Sequence, residues 1–255
     1  MDIQGTCIAS TTDEHGPIYV YQTKNSRILS FDGKIYQSCM KLNNINRLNL
    51  GYTRAMMTGV ALISHLKTAT IMGLGAGSLA KNLLTNFPTL NIHAVEYRQA
   101  VATVAKQYFE LPDTNRLTIH IDDAVNYIKN PPIKSDIIFS DLYSSTGMEL
   151  KQIQASYLRN CKNALTEQGV LVLNICHTQD DLRVEFNTLL AEEFENRLLS
   201  FTVDGGNTIV FAFKNKMPPL TPEILQTKMQ SLPVNITNTI ERYVKLLLKA
   251  TPLTF

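Results

Sequence analysis

Between residues 68 and 213 the chain alternates short apolar runs with amphipathic ones, and this alternation constrains its fold more than any other feature. The runs Thr70–Leu74, Asn91–Val95, Leu117–Ile121, Asp136–Asp141 and Val170–Ile175 are rich in β-branched and other apolar residues. Strands buried on both faces of a helix-covered parallel sheet read this way. Between and after them, Ser78–Asn86, Tyr97–Phe109, Ala124–Lys129, Glu149–Leu165 and Asp180–Phe194 carry a helical period, so strand and helix succeed one another as in a doubly wound sheet. The last two strands, Leu198–Val203 and Thr208–Phe213, are separated only by Asp204-Gly205-Gly206-Asn207. A parallel crossover needs roughly a dozen residues, so this pair predicts an antiparallel hairpin.

The flanks differ in texture. Ile18–Tyr21, Arg27–Phe31 and Ile35–Gln37 are short β-favouring runs around Asp32-Gly33, a dipeptide that marks hairpin turns. Tyr52–Leu66 reads as a helix with a broad apolar face, and after Met217-Pro218-Pro219 two helices are expected, Pro222–Gln230 and Asn238–Lys249. The expected division is a small β-hairpin unit over 1–50, a Rossmann-like domain over 51–216 and a helical extension over 217–255. A mostly parallel seven-stranded sheet closed by an antiparallel hairpin resembles the class I methyltransferase fold, an α/β architecture.

Charge and cysteine usage narrow the setting. A net charge of +2 gives no reason to expect a nucleic-acid partner, and the mildly basic stretch from Lys214 to Lys249 reads as a solvated helical face. Cys7, Cys39, Cys161 and Cys176 lie far apart without metal-ligand spacing, which fits a reducing compartment. No apolar run is long enough for a membrane span and the first residues lack a leader pattern. The expectation is a cytoplasmic protein with no metal and no membrane partner. The five histidines are scattered; His177, after the fifth strand of the alternation, reads as a loop histidine.

Four features mark a site at consecutive strand ends. Gly73, Gly75 and Gly77 punctuate a strand-to-helix turn, where glycine lets the backbone approach a ligand and the helix N-terminus presents free N–H groups. A dinucleotide fingerprint requires a further glycine or alanine at Ser78; the shorter GxGxG spacing is the form typical of adenosylmethionine enzymes. Glu96 ends the next strand, where a carboxylate accepts both hydroxyls of a ribose. Asp122-Asp123-Ala124 follows the third strand; either aspartate can N-cap the helix that begins at Ala124, and an Asp-Ala pair at this place, Asp123 with Ala124, typically accepts the adenine amino group in methyltransferase-like folds, two roles that are compatible. Asp141 ends the fourth strand, at the carboxyl edge where ligands of open α/β sheets bind, and is the candidate base for an amine nucleophile.

In this order the features resemble the spermidine synthase (polyamine aminopropyltransferase) family over residues 18–213. The stretch Leu29-Ser30-Phe31-Asp32-Gly33-Lys34-Ile35-Tyr36-Gln37 is similar to the family's L-x-L-D-G-x-x-Q, and Val95-Glu96, Asp122-Asp123-Ala124 and Asp141 match as well. The resemblance implies that Glu96 reads ribose, Asp123 reads adenine and Asp141 is the catalytic base. It also implies that Gln37 contacts ligand, that Tyr52 is the tyrosine of the family's Tyr-His-Glu motif, and that the enzyme is a homodimer. Three positions depart from the pattern. Ala76 stands where the glycine loop carries an aspartate that engages the aminopropyl ammonium, Ser144 replaces the second aspartate of the loop after Asp141, and Thr53-Arg54 replace the His-Glu pair. Those changes thin the carboxylates of a polyamine site and offer Arg54 as a holder of a carboxylate.

The leading expectation is therefore a spermidine-synthase-like transferase. It uses decarboxylated S-adenosylmethionine or S-adenosylmethionine and moves an aminopropyl group to a small amine acceptor such as a polyamine. Tyr52, Arg54, Tyr143 and Ser144 are its expected acceptor-side residues. The alternatives are a methyltransferase using intact S-adenosylmethionine and a non-catalytic nucleoside-binding or dimerising scaffold.

Overall fold

The computed structural model describes residues 3–145, 147–176 and 180–250, of which 180–183 are described by backbone alone. His177 lies outside the described residues. Four strands open the chain as an antiparallel meander in sequence order: β1 (Thr6–Asp13), β2 (Gly16–Gln22), β3 (Ser26–Ser30) and β4 (Ser38–Lys41). The first of these has no counterpart in the sequence reading, because its residues are mostly exposed and give no apolar alternation. The segment Ile35–Gln37 is not a strand. Asp32 Oδ1 accepts the N–H groups of Lys34 and Ile35, each at 2.8 Å, so the aspartate curls the chain into a wide loop and pairing resumes only at β4.

Tyr52–Leu66 is likewise not one helix: α1 (Gly51–Met56) tightens into a 3-10 segment, Met57–Leu62, and the chain then leaves helical geometry. Thr58, Gly59 and Val60 are weak helix formers, and every residue from 57 to 62 is buried. Packing against the sheet sets the backbone there.

The alternation then runs as expected, with boundaries shifted by a few residues. It comprises β5 (Thr68–Met72), α2 (Ser78–Asn86), β6 (Asn91–Glu96), α3 (Gln99–Tyr108), β7 (Leu117–Ile121), α4 (Ala124–Tyr127) and β8 (Ser135–Ser140). A ribbon of two-residue strands follows, β9 (Tyr143–Ser144) and β10 (Gly147–Met148), then α5 (Ala155–Ala164), β11 (Leu165–Cys176), α6 (Asp180–Phe194), β12 (Leu198–Thr202) and β13 (Asn207–Phe213). The helix expected over 149–165 is broken at Gln154, between a 3-10 turn and α5, and Leu165 already belongs to β11. The helix expected over 124–129 shrinks to the single turn of α4.

Seven strands form one sheet in the order β12-β13-β11-β8-β5-β6-β7. Only β13 runs against its neighbours, pairing antiparallel with both β11 and β12, as the four-residue connection requires. The central strands β5 and β8 and the stretch Val170–Ile175 are buried along nearly their whole length. One face packs Ile71, Leu83, Phe139, Val172, Phe211 and Ile240 together, and the other packs Ile138, Tyr157, Leu171, Phe186 and Phe194. A third cluster joins the meander to α3, through Ile18, Val20, Phe31 and Met40 against Val101, Val104 and Phe109.

The chain ends in α7 (Pro222–Ser231) and α8 (Val234–Leu247), the latter beginning four residues earlier than the sequence suggests. Its buried residues Ile236, Ile240, Tyr243, Val244 and Leu247 follow a helical stripe, and they join the core that includes Ala55, Val60 and Leu62. None of the extension's described residues lines the cleft at the carboxyl ends of the sheet strands. Among the described residues no helix is long and apolar enough to cross a membrane.

Candidate active site

Strand β5 is the point where the sheet order reverses, with β8 on one side and β6 then β7 on the other. Open α/β sheets leave a crevice at the carboxyl ends of the strands there, and a cleft of this molecule lies in that place. It gathers Gly73, Gly75, Glu96, Asp123, Ala124, Asp141, Tyr143 and Ser144 from the sheet, with Gln37 from the meander and Tyr52 from α1.

The glycine loop is shaped by contact and by φ. At Gly73, with φ of +90°, a Cβ would collide with the backbone carbonyl oxygen of Asp141, so the β5 and β8 loops can touch only through a glycine. Gly77, the N-cap of α2 with φ of +72°, packs against Leu111 and does not line the cleft. It contributes the left-handed turn that starts the helix. The Ala76 methyl group, 1% exposed, also turns away, into the cluster shared by the meander and α3, while its N–H donates to Ser38 Oγ at 3.2 Å.

Glu96 is held by the main chain. One carboxylate oxygen accepts Gly75 N–H at 3.2 Å and the other accepts Arg98 N–H at 3.0 Å. Burial nevertheless raises its pKa, against those donors and the Arg98 charge. The Arg98 guanidinium points to the meander, bonding Asp13 Oδ1 at 2.7 Å and the Gly16 carbonyl at 2.6 Å, over the Phe31 ring. Arg98 thus holds the cleft-facing carboxylate with its amide and the N-terminal sheet with its guanidinium.

Asp123 is the N-cap of α4. Its Oδ1 accepts Val125 N–H at 2.8 Å, and its Oδ2 pairs with Lys151 at 2.8 Å. Burial works against its charge, but Lys151 and the Val125 amide outweigh it and its pKa is lowered. Both oxygens thus have partners, with Lys151 half exposed and itself lining the cleft.

Asp141 lies beyond the end of β8, its N–H bonded to the Met72 carbonyl at 2.9 Å. Asn174 Nδ2 donates to its Oδ1 at 2.8 Å, and the Tyr52 hydroxyl donates to the same carboxylate. Burial lifts the carboxyl to about pKa 6 although both partners favour the charged form. Tyr52 is pushed up in turn, by burial and by the adjacent Asp141 charge. Tyr143 has its own phenol raised by burial. Gln37 spans the cleft mouth, donating from Nε2 to the Ser144 carbonyl at 3.3 Å.

Arg54 does not reach the cleft. Successive helical residues are rotated by about 100°, so a turn that presents Tyr52 and Thr53 carries Arg54 past the opening. Its Nε is buried without a hydrogen-bond partner among the described residues. The sequence does not single out three residues that line the cleft, Ser38, Arg98 and Lys151, nor Asn174 and Asn207, which stand behind Asp141. Asn174 left a signal there, as the one amide within Val170-Leu171-Val172-Leu173-Asn174-Ile175. Buried polar groups in such strands need partners.

The spermine/spermidine synthase domain, as a sequence family, matches residues 50–192. A polyamine aminopropyltransferase of Neisseria meningitidis is 32% identical over 197 residues, spanning 75% of this chain and 73% of the relative. Among solved structures, a probable spermidine synthase from Corynebacterium glutamicum superposes with a TM-score of 0.72 at 19% identity, covering 88% of each chain. Human Methyltransferase-like protein 13, solved in complex with SAH, gives 0.65 at 23% identity over 81% of this chain and 96% of that one. The structural likenesses establish the methyltransferase-like fold; the sequence matches go further, and on them this chain belongs to the spermine/spermidine synthase family.

Proposed function

We propose that this protein transfers the aminopropyl group of decarboxylated S-adenosylmethionine to the nitrogen of a small amine of polyamine type. The observation that carries the reading is the buried Asp141 carboxylate, with a pKa near 6, on the opposite side of β5 from Glu96 and Asp123. A nucleoside fits across this arrangement. Glu96 offers a buried carboxylate to ribose hydroxyls, the glycine loop lets the backbone come close, and Asp123 with Ala124 borders the base. The cationic sulfonium end then lies toward Asp141. The acceptor nitrogen attacks the methylene beside the sulfonium, the C–N bond forms as the C–S bond breaks, and methylthioadenosine leaves. Asp141 takes the amine proton; at neutral pH a carboxyl with this pKa is mostly ionised and still basic enough to receive it. Catalysis comes chiefly from alignment in a cleft that excludes water.

Methyl transfer from intact S-adenosylmethionine is the second reading: residue 76, an alanine packed into the cluster of the meander and α3, puts no carboxylate in the glycine loop to repel that of the amino-acid tail. Thermal-shift measurements separate the two. A ligand at about a hundred times its dissociation constant adds roughly 2.7 kcal/mol, a shift of several degrees for a chain of this length. Decarboxylated S-adenosylmethionine is expected to shift the midpoint more than the intact form; the reverse order favours methyl transfer. The same reading takes the enzyme to be a cytoplasmic homodimer, with light scattering as the check on its mass.

A further inference from the structure

Beyond the residues that face a ligand, the structure places two amides in line behind the Asp141 carboxylate. Asn207, the first residue of β13, donates from Nδ2 to Asn174 Oδ1 at 2.9 Å, and Asn174 Nδ2 donates to Asp141 Oδ1 at 2.8 Å. Their strands explain the reach. Cys176 of β11 is paired with Asn207 across the antiparallel ladder, so Asn174, two residues earlier, is its diagonal neighbour on the same face. Asn174 is 1% exposed. Its main chain is held in the β11–β13 ladder, and its backbone carbonyl also lies 3.5 Å from Gln152 Nε2 and 3.4 Å from the Tyr143 hydroxyl.

We infer that Asn207 and Asn174 form a positioning relay that presents an N–H donor to Asp141 and so selects the ionised, proton-accepting state of the base. A side-chain amide has a donor end and an acceptor end. With Asn207 offering a donor, Asn174 turns its carbonyl oxygen to Asn207 and its NH2 to Asp141. A carboxylate satisfies that NH2; a protonated carboxyl oriented as a donor finds no acceptor there. Without Asn207, the Asn174 amide is free to flip and meet a protonated carboxyl with its oxygen. The β12–β13 hairpin thereby sets the protonation of a group just past the end of β8, two strands away in the sheet. The titratable groups facing Asp141 from the packed elements are Tyr52 of α1 and Tyr143 of β9; Cys176 of β11 acts on Tyr143, and Asn207 is hydrogen-bonded to the Tyr143 phenol as well as to Asn174, a second route that the Asn174→Ala background tells apart from the relay. Both tyrosines are neutral in their ordinary state and burial pushes them further from ionising, so the amide relay is the adjustable element.

Because this rests on Asp141 as the base, the test reads the carboxyl directly, in the free full-length protein. Infrared difference spectra give the titration midpoint of Asp141, its band identified by loss in Asp141→Asn. Asn174→Ala is expected to raise that midpoint by about one pH unit or more, as loss of a hydrogen bond to a charged group implies. Asn207→Ala, which touches Asp141 only through others, is expected to raise it by a smaller amount. That second shift is expected to shrink when Asn174 is already alanine, the non-additivity of residues acting in series. An unchanged midpoint in Asn207→Ala overturns the relay, as does a shift of equal size in both backgrounds. If Asn174→Ala does not fold, Asn207→Ala alone decides by the first criterion. Turnover by Asp141→Asn would instead remove Asp141 as the base, an outcome that leaves the measured midpoints, and hence the relay, to be judged separately.

Discussion

Gly73 and the backbone carbonyl of Asp141 touch so closely that no side chain fits between them. The contact joins the glycine loop after β5 to the carboxylate-bearing loop after β8, the two walls of the cleft. Gly73→Ala adds a Cβ against backbone, at a φ of +90°. A stability loss of at least about 2 kcal/mol is expected, together with weakened binding of methylthioadenosine. Urea denaturation and calorimetry check the two effects; a wild-type midpoint would show that the loops can part without consequence.

The raised pKa of Asp141 predicts two pH dependences. Activity that needs the ionised base rises with pH through about 6 and levels off above it. Stability moves the other way. A carboxyl whose folded pKa exceeds its unfolded value of 3.8 binds more protons when folded, so its contribution is present at low pH and is lost as pH rises through about 6. Asp141→Asn removes that loss. The variant's melting temperature relative to wild type is expected to be higher at pH 7.5 than at pH 5, while its turnover is abolished. An advantage that does not grow with pH would mean that the carboxyl is not held near 6.

Glu96 carries both a ligand-facing and a structural duty. Glu96→Ala is expected to weaken methylthioadenosine binding by about 100-fold or more, the scale of losing two hydrogen bonds to a charged acceptor. It also strips the acceptor from Gly75 and Arg98 N–H. Calorimetric titration reads the affinity; a change of less than a few-fold would detach Glu96 from ribose recognition.

Asp13 and Arg98 form an ion pair with side chains only 15% and 9% exposed, joining β1 to the loop after Glu96. Arg98 holds the Asp13 carboxyl below its ordinary pKa, chiefly through their hydrogen bond. That stabilisation is therefore present at neutral pH and is lost as the solution is acidified through the carboxylate range. Asp13→Ala leaves a mostly buried guanidinium unpaired and is expected to lose about 3 kcal/mol at pH 7. The deficit narrows at pH 3. Equal deficits at both values would assign the effect to packing.

Much of the fold is legible from period and connection length. The buried runs within Ser135–Ser140 and Val170–Ile175 announce parallel strands by themselves, and the four residues from Asp204 to Asn207 dictate the antiparallel turn. The exposed strand Thr6–Asp13 is silent because its pairing is satisfied by backbone, which leaves no apolar signature. The strand-end carboxylates Glu96 and Asp141 are legible because their places follow from topology. Asn207, Lys151 and Arg98 are not, because their partners lie 33, 28 and 85 residues away in sequence. Arg54 shows the opposite failure: its position next to Tyr52 suggests the cleft, and the helix turn carries it elsewhere.

The central claim is tested most directly by identifying products. The protein is incubated with an amine panel and either decarboxylated or intact S-adenosylmethionine, and the mixture is resolved by mass spectrometry. Aminopropyl transfer predicts methylthioadenosine and an aminopropylated amine in equal amounts, from the decarboxylated donor alone and absent with Asp141→Asn. S-adenosylhomocysteine and a methylated amine from the intact donor, with no methylthioadenosine from the other, would contradict it.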